Sequence, residues 1–195
     1  MTTNSKRVVF AMGGKGGVGK TGVMVALAEW FEANEIPVTL LDLDTENNAR
    51  GSLKHFFNGE VTKVNIHTPA GLDAFVDHLD GGSEIILAWA DRLQDRVQYV
   101  VVENATSTLS DFTYWRSTEQ AKRFREAFSP TVLHMEFRLA ELENPVRQHG
   151  IKLGDVADRK SSVEELKRAS LVMRAQSYRR RLFSEFDRTK EVFLP

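Results

Sequence analysis

Val8-Val9-Phe10-Ala11-Met12 runs into Gly13-Gly14-Lys15-Gly16-Gly17-Val18-Gly19-Lys20-Thr21, and from Val23 to Phe31 apolar residues recur at helical spacing. A short apolar run, a glycine-rich turn and a periodic apolar stretch predict strand, loop and helix in that order. Gly14 to Thr21 satisfies G-x-x-x-x-G-K-[ST] in the context that the motif's chemistry needs, after a strand and opening a helix. Glycines let the backbone curl so that successive N–H groups point inward at a β-phosphate, and the helix N-terminus adds positive potential. Lys20 is expected to reach the β- and γ-phosphates of ATP or ADP. The Thr21 hydroxyl is expected to face the magnesium ion that bridges them. A glycine-rich turn with a surface lysine is the competing reading, and the strand-loop-helix context weighs against it.

Beyond the helix, Pro37 breaks the chain and Val38 to Leu43 is a β-branched and leucine run of strand length, which makes the first forty residues a βαβ unit. A parallel sheet follows from that unit. Further elements are expected as helix over Asn47–Phe57, strand over Lys63–His67, helix over Gly71–Leu79 and strand over Ile85–Ala88. Then come strand over Tyr99–Glu103, helix over Ser117–Phe128 with a Ser117/Gln120 capping box, and strand over Thr131–Phe137. Ser161 to about Lys190 reads as one long polar-rich helix or a broken pair. The fold class is therefore α/β, a mostly parallel sheet with helices on both faces. Residues 1–160 form the nucleotide-binding domain and 161–195 a basic helical extension packed on it or projecting from it.

The totals fit this picture. The 195 residues, 42% of them hydrophobic, suffice for one sizeable core. With 26 basic and 27 acidic side chains there is no general attraction to nucleic acid or anionic membrane. The absence of cysteine excludes a disulfide framework, a thiolate zinc site and a cysteine-held iron–sulfur cluster. The N-terminal stretch is too interrupted by polar residues for a signal peptide, and no 18-residue apolar run occurs, so a cytoplasmic location is expected.

Lys15-Gly16-Gly17-Val18-Gly19-Lys20-Thr21, with a second lysine at the loop's start, resembles the deviant phosphate loop of the ParA/MinD group of P-loop ATPases. The resemblance implies that Lys15 crosses a nucleotide-sandwich homodimer to the partner's phosphates, as an arginine finger does. In the same terms Asp42-Leu43-Asp44 looks like the family's strand-end acidic segment. It implies that Asp44 positions the attacking water and that Asp42 supports magnesium through water; a solvated loop or helix cap is the alternative for both acids. Thr45 and Glu46 stand where the family usually has proline and glutamine. Asn104, after Tyr99-Val-Val-Val-Glu103, resembles the asparagine with which the family reads the adenine edge, although asparagine also suits a plain turn. The implied catalytic set is Lys15, Lys20 and Asp44. The nucleotide-binding set runs from Gly14 through Lys15, Gly16, Gly17, Val18, Gly19, Lys20 and Thr21 to Gly22, with Asn104, and Thr21 and Asp42 attend the metal.

Two departures stand out. Gly22 replaces a hydroxyl residue that in many relatives touches the α-phosphate, a loss of on the order of 1 kcal/mol. The family's further aspartate after a hydrophobic strand is absent, because Ile85-Ile86-Leu87-Ala88 is followed by Trp89. Only Trp89 to Gln98 then separate that strand from Tyr99, too few for a crossover of about a dozen residues. The reading is that a segment with the second acidic motif is missing after Ala88, which leaves nucleotide binding better supported than hydrolysis.

Between Leu166 and Ser184 the chain carries Lys167, Arg168, Arg174, Arg179, Arg180 and Arg181 with no acid, interleaved with Leu171, Met173, Tyr178, Leu182 and Phe183. Such a helix either packs on the domain with a solvated polar face or meets DNA or a protein partner, with a membrane the weakest option. The function expected is an ATP-dependent dimeric switch in DNA or plasmid partition, mobilisation or positioning. The alternatives are a nucleotide-binding scaffold without hydrolysis and a ligase like CobQ or dethiobiotin synthetase.

Overall fold

The computed structural model describes residues 7–11, 19–43, 52–57, 59–64, 68, 70, 98–105 and 110–194. Its central element is helix α1, Lys20–Ala33. Seven consecutive residues of α1, Val25 to Phe31, are buried, so neighbours enclose this helix on every side, unlike a surface helix with one apolar stripe. On one side Ala26, Leu27, Trp30 and Phe31 enter the main core. On another, Val25 and Ala28 meet Leu53, Phe57 and Val61 in a smaller cluster.

Strand β1, Leu40–Asp42, pairs in parallel with β2, Val61–Lys63, and helix α2, Leu53–Phe56, lies between them in sequence. Strand β3, Val100–Asn104, pairs in parallel with β4, Thr131–Met135, in a register that sets Glu103 opposite His134 and Asn104 opposite Met135. Helices α3, Thr113–Ser117, and α4, Glu119–Phe128, form the crossover that a parallel pair requires. Each parallel unit is α/β, as the apolar runs imply. The chain continues through α5, Ala140–His149, and α6, Leu153–Ala157, to a 3-10 turn at Glu164–Lys167. Helices α7, Ala169–Arg188, and α8, Lys190–Phe193, complete it.

α7 belongs to the main core. Its Leu171, Ala175, Tyr178, Leu182 and Phe186 are buried with Trp30 of α1, Leu133 of β4 and Val156 of α6. Trp30 is 2% exposed, lies 5.9 Å from the ring of Phe186, and donates its indole N–H to Asp187 Oδ1 at 2.8 Å. A large ring thus buries its faces and still satisfies its one donor. Helix α5 ends at Gly150, φ +62°, where an added Cβ would stand 2.3 Å from the His55 carbonyl oxygen, so both conformation and space call for glycine.

Several boundaries differ from the expectations. Thr118, not Ser117, caps α4, its hydroxyl accepting the Ala121 N–H at 3.2 Å; Thr118 holds the extended backbone that an N-cap needs. Arg7 to Ala11 joins no ladder among the described residues, although Val9 packs on the core while Val8 and Phe10 are exposed, the alternation of extended chain. The expected helix at Gly71–Leu79, the strand at Ile85–Ala88 and the Ala88-Trp89 junction lie outside the described residues.

Candidate nucleotide site

Of the phosphate-loop motif, Gly14 to Val18 lie outside the described residues, with Lys15 among them, and Gly19 to Gly22 are described. Gly19 takes the N-cap position of α1 with φ +93°, which strains any residue with a Cβ. Space makes the same demand, because a Cβ at Gly19 would stand 2.2 Å from Nδ2 of Asn104. The amide at the carboxyl end of β3 therefore lies directly on the phosphate-loop glycine. Two residues singled out from separate motifs, 85 positions apart in the chain, meet at this point.

Lys20 and Thr21 follow Gly19 in the first turn of α1, where backbone N–H groups have no partner within the helix. Asp42 ends β1 with 6% exposure, and its carbonyl accepts the N–H of Val64 at 3.0 Å. Asp44 lies outside the described residues. Magnesium takes oxygen ligands, uses one or two carboxylates and completes its shell with phosphate and water. A helix-start hydroxyl at Thr21 and a strand-end carboxylate at Asp42 have the right chemistry. Among the described residues no group of three or more His, Asp or Glu gathers as a self-sufficient metal cage.

Three residues at this end of the sheet escaped the sequence reading. Glu103, next to Asn104, is 4% exposed and accepts Nε of Arg116 at 2.8 Å, while Nδ1 of His134 lies 2.8 Å from its other oxygen. The Arg116 hydrogen bond is the main reason that its carboxyl is held below the ordinary carboxylate range. The signal is in the sequence, since Tyr99-Val-Val-Val-Glu103 is itself a hydrophobic strand followed by an acid, the form that is absent after Ala88. Arg138 was also missed. Its guanidinium ion-pairs with Glu143, Nε to Oε2 at 2.8 Å, and its Cζ sits 5.2 Å from the centre of the Tyr178 ring. Its Nη2 lies 3.2 Å from where a Cβ on Gly22 would be.

Beneath the site, α1 carries Glu29, 8% exposed, whose Oε1 accepts the Gly154 N–H at 2.6 Å. Burial raises its carboxyl to about 7, against the lowering effect of that hydrogen bond.

The C-terminal basic stretch is partly matched within the chain. Arg179 pairs with Asp158 at 2.7 Å, Arg181 with Glu136 at 2.6 Å and Lys167 with Glu164 at 2.5 Å. Arg168, Arg174 and Arg180 are exposed, and so is Met173 at 67%. Among the described residues no helix is long and apolar enough to cross a membrane.

Comparison with known families gives a match to the model of the CobQ/CobB/MinD/ParA nucleotide-binding domain over residues 9–191. No curated protein and no solved structure gives a significant match.

Proposed function

Because the chain belongs to the CobQ/CobB/MinD/ParA nucleotide-binding domain family, we propose that it is an ATP-driven dimeric switch of the ParA/MinD kind, acting in the partition, mobilisation or positioning of DNA. The observation that carries this reading is the phosphate-loop motif opening α1, with Asn104 of β3 seated on its Gly19.

In this reading, loop N–H groups from Gly14 to Gly19 hold the β-phosphate and Lys20 the terminal phosphates. Thr21 would hold magnesium and Asp42 would support it through water, and the cation would supply charge neutralisation at the terminal phosphates. Asp44 orients the attacking water, and Lys15 of each protomer completes the partner's site. Asn104 is assigned to the phosphate end of the site in preference to the adenine edge, because Gly19 immediately precedes Lys20. The exposed Arg174 and Arg180 of α7, with Met173 and with Arg168 at its N-cap, offer the surface for DNA or a protein partner.

ATP turnover per chain, measured over a range of protein concentrations, tests the switch. Turnover should rise with concentration and collapse in Lys15→Ala; turnover that ignores both contradicts it. A scaffold that binds nucleotide without turnover is the second reading. Trp89, standing where an acid was sought, favours it, as do the contacts of Arg116 and His134 that occupy the Glu103 carboxylate. Nucleotide binding at every concentration with no phosphate release would establish it.

A further inference from the structure

Arg138 is an ion-paired guanidinium placed at the start of a helix. Its guanidinium stands over Gly22 in the first turn of α1, the end of a helix that carries positive potential and disfavours a cation. Yet the side chain is fixed there, 18% exposed, by Glu143, whose Oε2 lies 2.8 Å from Nε and whose Oε1 accepts one N–H of Nη2 at 3.2 Å, and by the ring of Tyr178. A cation held beside a helix N-terminus becomes favourable when an anion lies between the two, and guanidinium is the side chain best shaped for phosphate oxygens. The space that it uses exists because residue 22 has no side chain, since even a Cβ there would stand 3.2 Å from Nη2.

We infer that Arg138 is a phosphate-binding residue of the nucleotide site, the N–H of Nη2 that Glu143 does not take donating to the phosphate next to the ribose from the space that a side chain at position 22 would fill. This rests on the nucleotide reading above. Lys20 and Thr21 serve the terminal phosphates, so a donor beyond them along α1 is left with the phosphate nearest the nucleoside. Glu143 and Tyr178 hold the guanidinium in place before the ligand arrives, which reduces the ordering cost of binding. The absence of a hydroxyl at Gly22 and the presence of Arg138 are then one arrangement.

The test is calorimetric titration of the full chain with ADP and with ATP, magnesium present. Arg138→Met keeps the stem against Tyr178 and removes the charge. It should weaken ADP and ATP by the same factor, on the order of tenfold, since both carry that phosphate. Adding Gly22→Thr to Arg138→Met should recover most of the loss, because the hydroxyl then enters the vacated space. Arg138→Lys, the milder change, should lose affinity to a smaller extent and guards against misfolding of the first variant. Unchanged affinity in Arg138→Met and Arg138→Lys, a loss confined to ATP, or no recovery on adding Gly22→Thr would each overturn the assignment. Lys20→Ala separates the two levels. If it abolishes binding while the Arg138 variants bind normally, only the role of Arg138 falls; if the unmodified chain binds neither nucleotide, the nucleotide reading itself fails.

Discussion

At its first turn α1 presents Gly19, Lys20, Thr21 and Gly22, with the amide of Asn104 and the guanidinium of Arg138 lying on its two glycines; from Val25 to Phe31 the same helix is enclosed by core. The first end is made by leaving side chains out, and the second by fitting large ones in. A ligand end needs bare backbone and space for phosphate, whereas an anchoring end needs area removed from water. The rings of Trp30, Phe186 and Phe193 supply that area, and they tie the phosphate-loop helix to the chain's last two helices. The contrast implies that substitutions in the enclosed half act on stability and that those in the first turn act on binding.

Trp30→Ala gives the largest departure. A fully buried ring and its hydrogen bond to Asp187 disappear, and chemical denaturation should show a loss of about 3–5 kcal/mol. If the variant keeps its stability and loses nucleotide affinity instead, the division of the helix is wrong.

Glu29 sharpens the contrast through pH. Its folded-state value of about 7 lies above the ordinary 4.5, so the proton favours the folded state. That contribution is fully present below about 4.5 and is lost as pH rises to about 7, a change of about 3 kcal/mol at most. Denaturant midpoints measured between pH 5 and 8 should fall with rising pH, and Glu29→Gln should flatten the fall. Glu103, Asp158 and Glu185 are shifted the opposite way by Arg116, Arg179 and Arg188, so their stabilising contributions are lost only as pH falls below the ordinary carboxylate range.

Gly19→Ala probes the first turn. Left-handed backbone costs a residue with a Cβ about 1–2 kcal/mol, and the Cβ meets Asn104 as well. ATP affinity should drop at least about tenfold with only that modest change in stability. Asn104→Ala in the same chain removes the overlap and separates contact from strain. The smallest effect is expected at Arg181→Ala on the exposed face of α7, where loss of the pair with Glu136 should change the midpoint by less than about 1 kcal/mol.

The same contrast governs what could be read from the sequence. The phosphate-loop motif, the helix that it opens and the strands of the β3–β4 pair were legible because their signals are local: a motif, a spacing, a run of β-branched residues; the pairing of β1 with Val61–Lys63, mostly before the strand expected over Lys63–His67, was not. Asn104 was legible as a candidate, but its contact with Gly19 spans 85 positions and needed the fold. Arg138 carried no signal, since nothing in Glu136-Phe137-Arg138-Leu139 shows that it returns to Gly22. Lys167, Arg179 and Arg181 of the basic stretch meet acids at Glu164, Asp158 and Glu136, all outside Leu166–Ser184, so the charge of that stretch alone does not show these pairs.

The central claim, that nucleotide at this loop drives pairing of two chains, is most directly tested by mass in solution. Sedimentation or light scattering with magnesium and a slowly hydrolysed ATP analogue should show a dimer. ADP, no nucleotide, and Lys15→Ala with the analogue should each show a monomer. A monomer under the analogue, or a dimer indifferent to nucleotide and to Lys15, would contradict the account.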